Sequence, residues 1–421
     1  MFLHKTANIS SHFKLSAFSL AIFAMSASPA TYAGFNEEIE NALKFGQDDA
    51  KYGQVKVNVR LRYENANTEE TSNKTAEALT ARFRIGYLSP EFYGIQTYAE
   101  FEANQDIGIN DYNASRNGRM RNKGYDVIQD PQDTEVNRLW ISYNGIADTS
   151  IKVGRQRIKL DNDRFIGNVG WRQMEQTFDS AVIVNKSLPN TTATIGYINR
   201  VKRIFSDSQE MTSPFINLSY DFNDIGKLTG YGYWLDYDER ENYGASSQTY
   251  GIRFNGGRQV TEDVKLLLTA EYAHQSDYEH NPNGYDADYY HIIGGFSAFG
   301  VTLKGGMEEL GGSGAGQRFQ TPLATGHAFN GWADVFLSTP GNGLQDVYGS
   351  ASAVVKGVKI MGVYHDFSDD TGSIEYGNEY DLLIARKFGK HYSLLAKYSY
   401  YDADTIATDR QKFWIQAGIN F

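Results

Sequence analysis

The 421-residue chain has no cysteine, only 8 prolines, and no apolar run long enough to cross a membrane as a helix. Without cysteine it has neither disulfide staples nor a thiol nucleophile. A bundle of membrane helices needs stretches of roughly 18 or more apolar residues, so that class is excluded too. Proline cannot donate to a strand ladder, and its scarcity leaves long strands uninterrupted. No zinc-ligand spacing, phosphate-cradling loop or nucleotide fingerprint occurs, and a net charge of −11 argues against nucleic acid as a partner. No cofactor is implied.

What is abundant is glycine (41), tyrosine (29) and phenylalanine (24). The mean hydropathy is −0.49 and 22% of residues are charged. A membrane β-barrel combines these traits, because each strand alternates apolar and polar residues and aromatic girdles mark both interfaces.

Residues 1–33 read as a secretory signal peptide: Lys5 and Lys14, an apolar run from Leu15 to Met25, and a small-residue cleavage site ending at Ala33. Its removal would take the net charge from −11 to −13. Residues 34–53 are expected to form a short periplasmic segment with a helical turn, and residues 54–421 a single barrel domain. At the other end, Phe413, Ile415, Ala417, Ile419 and Phe421 alternate with Lys412, Trp414, Gln416, Gly418 and Asn420. A final strand ending on an aromatic residue resembles the C-terminal strand of outer-membrane barrels. That likeness implies recognition of Phe421 by the barrel-assembly machinery, with outer-membrane lipid as the surrounding partner.

From residue 54 the alternation hardly stops. Val55, Val57, Val59, Leu61 and Tyr63 oppose Lys56, Asn58, Arg60, Arg62 and Glu64; Leu79, Ala81, Phe83, Ile85 and Tyr87 oppose Thr80, Arg82, Arg84 and Gly86. Eighteen such runs can be drawn. The links between them alternate short and long. Bacterial barrels have short periplasmic turns, long outer loops and an even strand number, so the pattern predicts an all-β fold, a transmembrane antiparallel barrel of about 18 strands with both termini periplasmic.

A barrel of that size leaves an aqueous lumen. Closure sets Lys412 beside Lys56, Arg60 and Arg62, which adjoin Arg82 and Arg84, with Arg138 and Arg253 inward by parity. Such a wall favours anionic solutes, although part of it is expected to pair with Glu100 and Glu102. Tyr98, Trp140 and Trp414 either give sugar rings a sliding surface or simply fill space.

The densest basic stretch spans Lys152 to Arg172: Lys152, Arg155, Arg157, Lys159, Arg164 and Arg172 against Asp161 and Asp163, a net +4. Here NRLWISYNG (137–145), IKVGRQRIK (151–159) and WRQMEQTFD (171–179), with NEYDLLIARKF (378–388), resemble the alginate-export family of outer-membrane porins. The resemblance implies a barrel whose basic constriction conducts an acidic polysaccharide, with Arg155 and Arg157 as polyanion contacts. A second block, FQTPLATGHAFNGWAD (319–334), is similar to a branch of that family. Strict alternation behind Ile151 and Val153 would turn Arg155 and Arg157 toward lipid, so either a bulge at Gly154 flips the register or both arginines lie above the hydrocarbon; the bulge is the expectation adopted, with one of the pair facing the lumen. The long loop 309–345 is expected to enter the mouth, with His327, Asn330, Trp332 and Asp334 near solute.

The sequence reading is therefore a porin for anionic polysaccharide or oligosaccharide. The alternatives are an uptake porin of broader specificity and an outer-membrane hydrolase or adhesin. His391-Tyr392-Ser393 has the spacing of a barrel phospholipase but would lie at a periplasmic turn without an Asn partner, so the reading is not an enzyme. Asp161-Asn162-Asp163 lacks the Gly and Glu of a calcium loop, so no metal site is assigned.

Overall fold

The computed structural model describes residues 29–114, 124–314 and 316–421. Among the described residues, eighteen strands follow one α-helix. The helix, α1, is Pro29–Leu43. The first nine strands are β1 Gln54–Thr68, β2 Ala76–Leu88, β3 Ile95–Asp111, β4 Asp133–Ile146, β5 Thr149–Gln156, β6 Thr177–Asn185, β7 Thr191–Lys202, β8 Ser208–Asp221 and β9 Gly226–Leu235. The rest are β10 Ser247–Gln259, β11 Val264–Asp277, β12 Asp286–Ala298, β13 Val301–Leu310, β14 Leu344–Val355, β15 Val358–Ser368, β16 Glu375–Phe388, β17 Tyr392–Ala403 and β18 Arg410–Asn420. Each strand pairs antiparallel with its chain neighbours, and β18 closes on β1 through the register Leu61↔Ala417. Closure leaves no open edge, so every ladder in the hydrocarbon satisfies its backbone internally. No described helix is long and apolar enough to cross a membrane; the chain crosses with strands.

Burial is inverted relative to a soluble protein. Phe83, Ile85 and Tyr87 on β2 are exposed, whereas Arg82 and Arg84 between them are buried. The outer face meets lipid and the inner face meets a filled lumen. The filling comes from two inter-strand loops, 157–176 and 311–343. They join in a parallel bridge, Ile166↔Leu323, and Phe165, Ile166, Phe319, Leu323 and Phe336 build an apolar cluster inside the barrel with Tyr231, Tyr289, Tyr376 and Tyr401 of the wall.

Of the strands that depart from the sequence reading, two frame the lumen site. β3 continues to Asp111, well past the apolar alternation, because its ladder with β2 runs on to Glu77↔Asp111 beyond a bulge at Leu79/Thr80. β5 stops at Gln156, earlier than expected, because the chain there turns into the lumen. Of the expected signal peptide 1–33, residues 1–28 lie outside the described residues, and α1 runs through position 33. The helix sits at the short-turn end: Glu40 pairs with Lys390 and His391, and Tyr392 donates to Asn36.

Candidate functional site: the plugged lumen

Gly154 sits on β5 with φ of +118°, a conformation that favours glycine, and a Cβ there would collide with the carbonyl of Leu139. Yet the register is unbroken: Trp140↔Gly154 and Gly154↔Ser180 sit in continuous ladders. The expected bulge is absent. Arg155 therefore shares the outer face with its ladder partners Leu139 and Asp179. It is not a lumen contact, which corrects the expectation for that residue. Arg155 pairs with Asp179 (2.8 Å), Asp179 with Arg200 (3.5 Å), and Arg200 with Glu210, a row of ion pairs on β5–β8 beyond the apolar Val153. Near the interface such charges cost about 0–1 kcal/mol, far less than at mid-depth. Arg157 lies past the strand end, where parity no longer governs direction, and pairs with Glu175 (2.6 Å).

Loop 157–176 is tied to the basic wall largely through backbone. Arg60 donates to the carbonyls of Gly170, Trp171 and Arg172. Arg62 donates to Trp171 O and pairs with Asp130 (3.4 Å). Arg172 is buried between Glu64 (3.0 Å) and Asp334 (3.1 Å). Arg164 is buried against Glu308 (2.8 Å) and donates to Asn330 (2.9 Å). Arg84 reaches both Glu102 and Glu175. Burial alone would raise the Glu175 carboxyl, but Arg84, Arg157 and the Asn137 amide outweigh it and hold the pKa well below the usual range.

Loop 311–343 is tied to β16–β18. Ala333 N donates to Glu379 (2.7 Å) and Trp332 N to Asp381 (3.2 Å). Gly331 has φ of +83°, and a Cβ there would strike the Glu379 carboxylate. Asp334 accepts from Lys412 (2.7 Å) and pairs with His327 (2.7 Å). His327 stacks on Trp171 with centroids 4.5 Å apart, and its Nε2 lies 2.8 Å from Lys397 Nζ. Burial, reinforced by Lys397 and Arg172, outweighs the pull of Asp334 and keeps the imidazole pKa well below its ordinary value. The neutral ring then donates from Nδ1 to Asp334 and accepts at Nε2 from the Lys397 ammonium. Burial disfavours the Asp334 charge, but His327, Lys412 and Arg172 hold its pKa well below the usual range. The Lys397 ammonium lies 3.6 Å from the Trp332 ring centroid, 4.3 Å from Trp171 and 5.4 Å from Trp414. Trp414 is wholly buried there and offers no sliding surface to a sugar.

Within this frame lie two cavities that share no lining residue. The one at the short-turn end, about 420 Å³, is lined by Lys56, Arg60, Arg82, Arg84, Arg138 and Arg157 against a single acid, Glu100, with Tyr98 and Trp140. The one at the long-loop end, about 450 Å³, is lined by amides and aromatic groups such as Gln176, Gln209, Asn242, Phe205 and Tyr237, with Arg172, Arg203, His327 and Asp334. Lys412, Asn330 and Trp332 lie in the packed zone around the loops and line neither.

A family model described as alginate export matches residues 54–293, from β1 to within β12. The chain belongs to the alginate export family. No curated protein matches it in sequence. Solved structures show the same fold at low identity. OpdK of Pseudomonas aeruginosa, solved with vanillate, is 13% identical with a TM-score of 0.68, covering 87% of this chain and 98% of that one. OccAB3 of Acinetobacter baumannii is 13% identical with a TM-score of 0.69, covering 88% and 99%. OccK5 (OpdH) of Pseudomonas aeruginosa is 12% identical with a TM-score of 0.64, covering 88% and 98%. The chain is thus a porin-like, multi-pass barrel of the bacterial outer membrane, and both the family and these folds are those of export proteins and porins rather than enzymes. At the short-turn end, His391 is engaged by Glu40 and Asn420 O and stacks on Phe421 at 4.1 Å.

The family match ends before loop 311–343, so the structure alone supplies that half of this alginate-export barrel's plug. Sequence reasoning named its His327, Asn330, Trp332 and Asp334 but missed their partners Lys397, Glu379 and Asp381. Parity places all three on inner faces, a usable signal. Asp130 lies in an irregular segment, where no periodicity marks it.

Proposed function

We propose that the barrel passively conducts carboxylate-bearing saccharides, alginate or its oligomers among them, with the short-turn cavity as the anion-recognising chamber. The observation that carries this reading is uncompensated charge. Among the described residues, Lys56, Arg60 and Arg82 have no carboxylate within ion-pair distance, and the buried Nε of Arg82 has no partner at all. Concentrated positive charge in an acidic protein is self-repulsive unless an anion meets it. Inward cations replace bulk counterions around uronate carboxylates, and several weak sites in series let a chain both enter and leave. Arg84, Arg138 and Arg157 already hold carboxylates and set the field rather than first contact. Lys412, Arg62, Arg164 and Arg172 serve the plug. Lys152 covers the Trp140 ring (4.5 Å) and Arg138 the Tyr98 ring (4.5 Å), so cations already occupy those faces.

A second reading, an uptake porin for smaller carboxylates, is favoured by the shared fold with OpdK, which was solved with vanillate. Purified protein in planar bilayers separates the two. A salt gradient should give anion-selective current, and uronate trisaccharides should produce transient blocks. Selectivity with no block by oligouronates supports the second reading, and cation selectivity excludes both. Phe421 is further proposed as the terminal contact for the barrel-assembly machinery.

A further inference from the structure

Three backbone carbonyls of the plug converge on one arginine of the wall. Arg60 Nη1 donates to Trp171 O and Arg172 O, each at 3.0 Å, and Nη2 donates to Gly170 O at 3.1 Å. Trp171 O also accepts from Arg62 Nη2. Arg60 meanwhile lines the short-turn cavity beside Lys56 and Arg82, so solute in that chamber reaches the guanidinium that holds the turn. A guanidinium fork is shaped for the two oxygens of a carboxylate, and here it holds neutral carbonyls in their place. The bonds to the carbonyls are charge-assisted on the donor side only, whereas a carboxylate brings a full opposite charge to the same fork.

We propose that the turn Gly170–Arg172 is an internal ligand on the anion site of Arg60 and Arg62, and that a carboxylate-bearing solute displaces it and thereby opens the plug. This rests on the reading of the short-turn cavity as an anion chamber. The surroundings favour movement of the turn rather than of the whole loop. Upstream, Phe165 and Ile166 are locked in the apolar cluster. The turn is held to β1 and β2 by the contacts of Arg60 and Arg62, the Arg172–Glu64 pair, and Gln173 donating to Thr80 Oγ1 (2.8 Å), and to the second loop by the Arg172–Asp334 pair (3.1 Å) and the stack of Trp171 on His327 (4.5 Å). Solute can shift the closed–open equilibrium only by its differential affinity for the two states, and in the closed state the turn's carbonyls fill part of its site.

The test uses single-channel recording of the full chain in planar bilayers. A uronate trisaccharide added on the short-turn side should raise the open probability about tenfold, which requires about tenfold tighter binding to the open state. A neutral trisaccharide should not. Arg60→Gln should be largely open without solute and show no further response. The chain lacks cysteine, so Thr80→Cys with Gln173→Cys introduces its only thiols. Bridged by a short thiol-reactive linker, that variant should stay shut with solute present. Solute-driven opening of the bridged channel, or wild-type gating in Arg60→Gln, would overturn the proposal. Anion selectivity and oligouronate block without any change in open probability would remove this inference and leave the proposed function standing. Loss of anion selectivity itself would remove both.

Discussion

Replacing Asp334 with asparagine is expected to unlock the plug at neutral pH while leaving the barrel intact. One carboxylate holds three partners at once: Lys412 at 2.7 Å, Arg172 at 3.1 Å and His327 at 2.7 Å, all buried. The amide keeps an acceptor oxygen but loses the charge, so Lys412 and Arg172 become cations in a poorly hydrated interior with only Glu64 and Asp130 left near Arg172. Breaking a buried ion pair from one side costs about 3–5 kcal/mol, chiefly because the other charge stays buried and unpaired. The same perturbation is less severe once the plug moves and water reaches those cations, so the closed state bears most of the cost. A shift of about 3 kcal/mol changes a two-state ratio more than a hundredfold. Bilayer recordings should therefore show a large rise in basal conductance. The eighteen-strand ladder contains no hydrogen bond from this side chain, so the barrel itself should form. Glu210→Gln, in the half-exposed outer row with Arg200, is the control and should change conductance little, since exposed pairs are worth about 0–1 kcal/mol. A closed Asp334→Asn channel would show that the apolar cluster around Phe165 and Phe319 holds the plug unaided.

The barrel was legible because its two solvents enforce a period of two. Val55 to Tyr63 on β1 and Leu79 to Tyr87 on β2 must face lipid, while Arg60, Arg62, Arg82 and Arg84 must face inward, and short and long links then count the strands. The signal fades where hydrocarbon ends. Residues 105–111 of β3 keep their ladder hydrogen bonds but no longer need apolar partners, so they read as loop. The same limit explains Arg155 and Arg157. Both lie near the strand end: the first keeps its outer-face parity but sits in a row of ion pairs, and the second has left the strand and turned inward. The cations of the lumen could be named from parity, but not their fates. Arg60 holds carbonyls, Arg62 and Arg172 share Asp130, and Lys397 sits among three tryptophans drawn from 171, 332 and 414. Apart from Lys397 and Trp414, which are ladder partners on β17 and β18, these are contacts between inter-strand segments and distant strands, and no local pattern encodes which segment meets which wall.

Acid should open the same plug in two stages. His327 has its pKa pushed well below the ordinary value in the closed plug, chiefly by burial. In a released, hydrated loop it returns to about 6.5. The open state thus binds a proton that the closed state refuses, and closure weakens as pH falls below about 6.5. Asp334 and Glu175 are held well below the usual carboxyl range by the cations around them. When released they titrate near 3.9 and 4.3. Their contribution to closure is fully present above those values and is lost as pH falls further. Each group that gains a proton on opening steepens the dependence by about 1.4 kcal/mol per pH unit, so the second stage, with two carboxylates, is the steeper. Open probability measured from pH 7.5 to 3.5 should stay low at first, climb below about 6.5, and climb more sharply near 4. His327→Gln keeps a donor toward Asp334 but cannot titrate, so it should erase the first limb and leave the second. Conductance that falls on acidification, or a first limb that survives in His327→Gln, would show that the loop is held by forces other than this buried charge network.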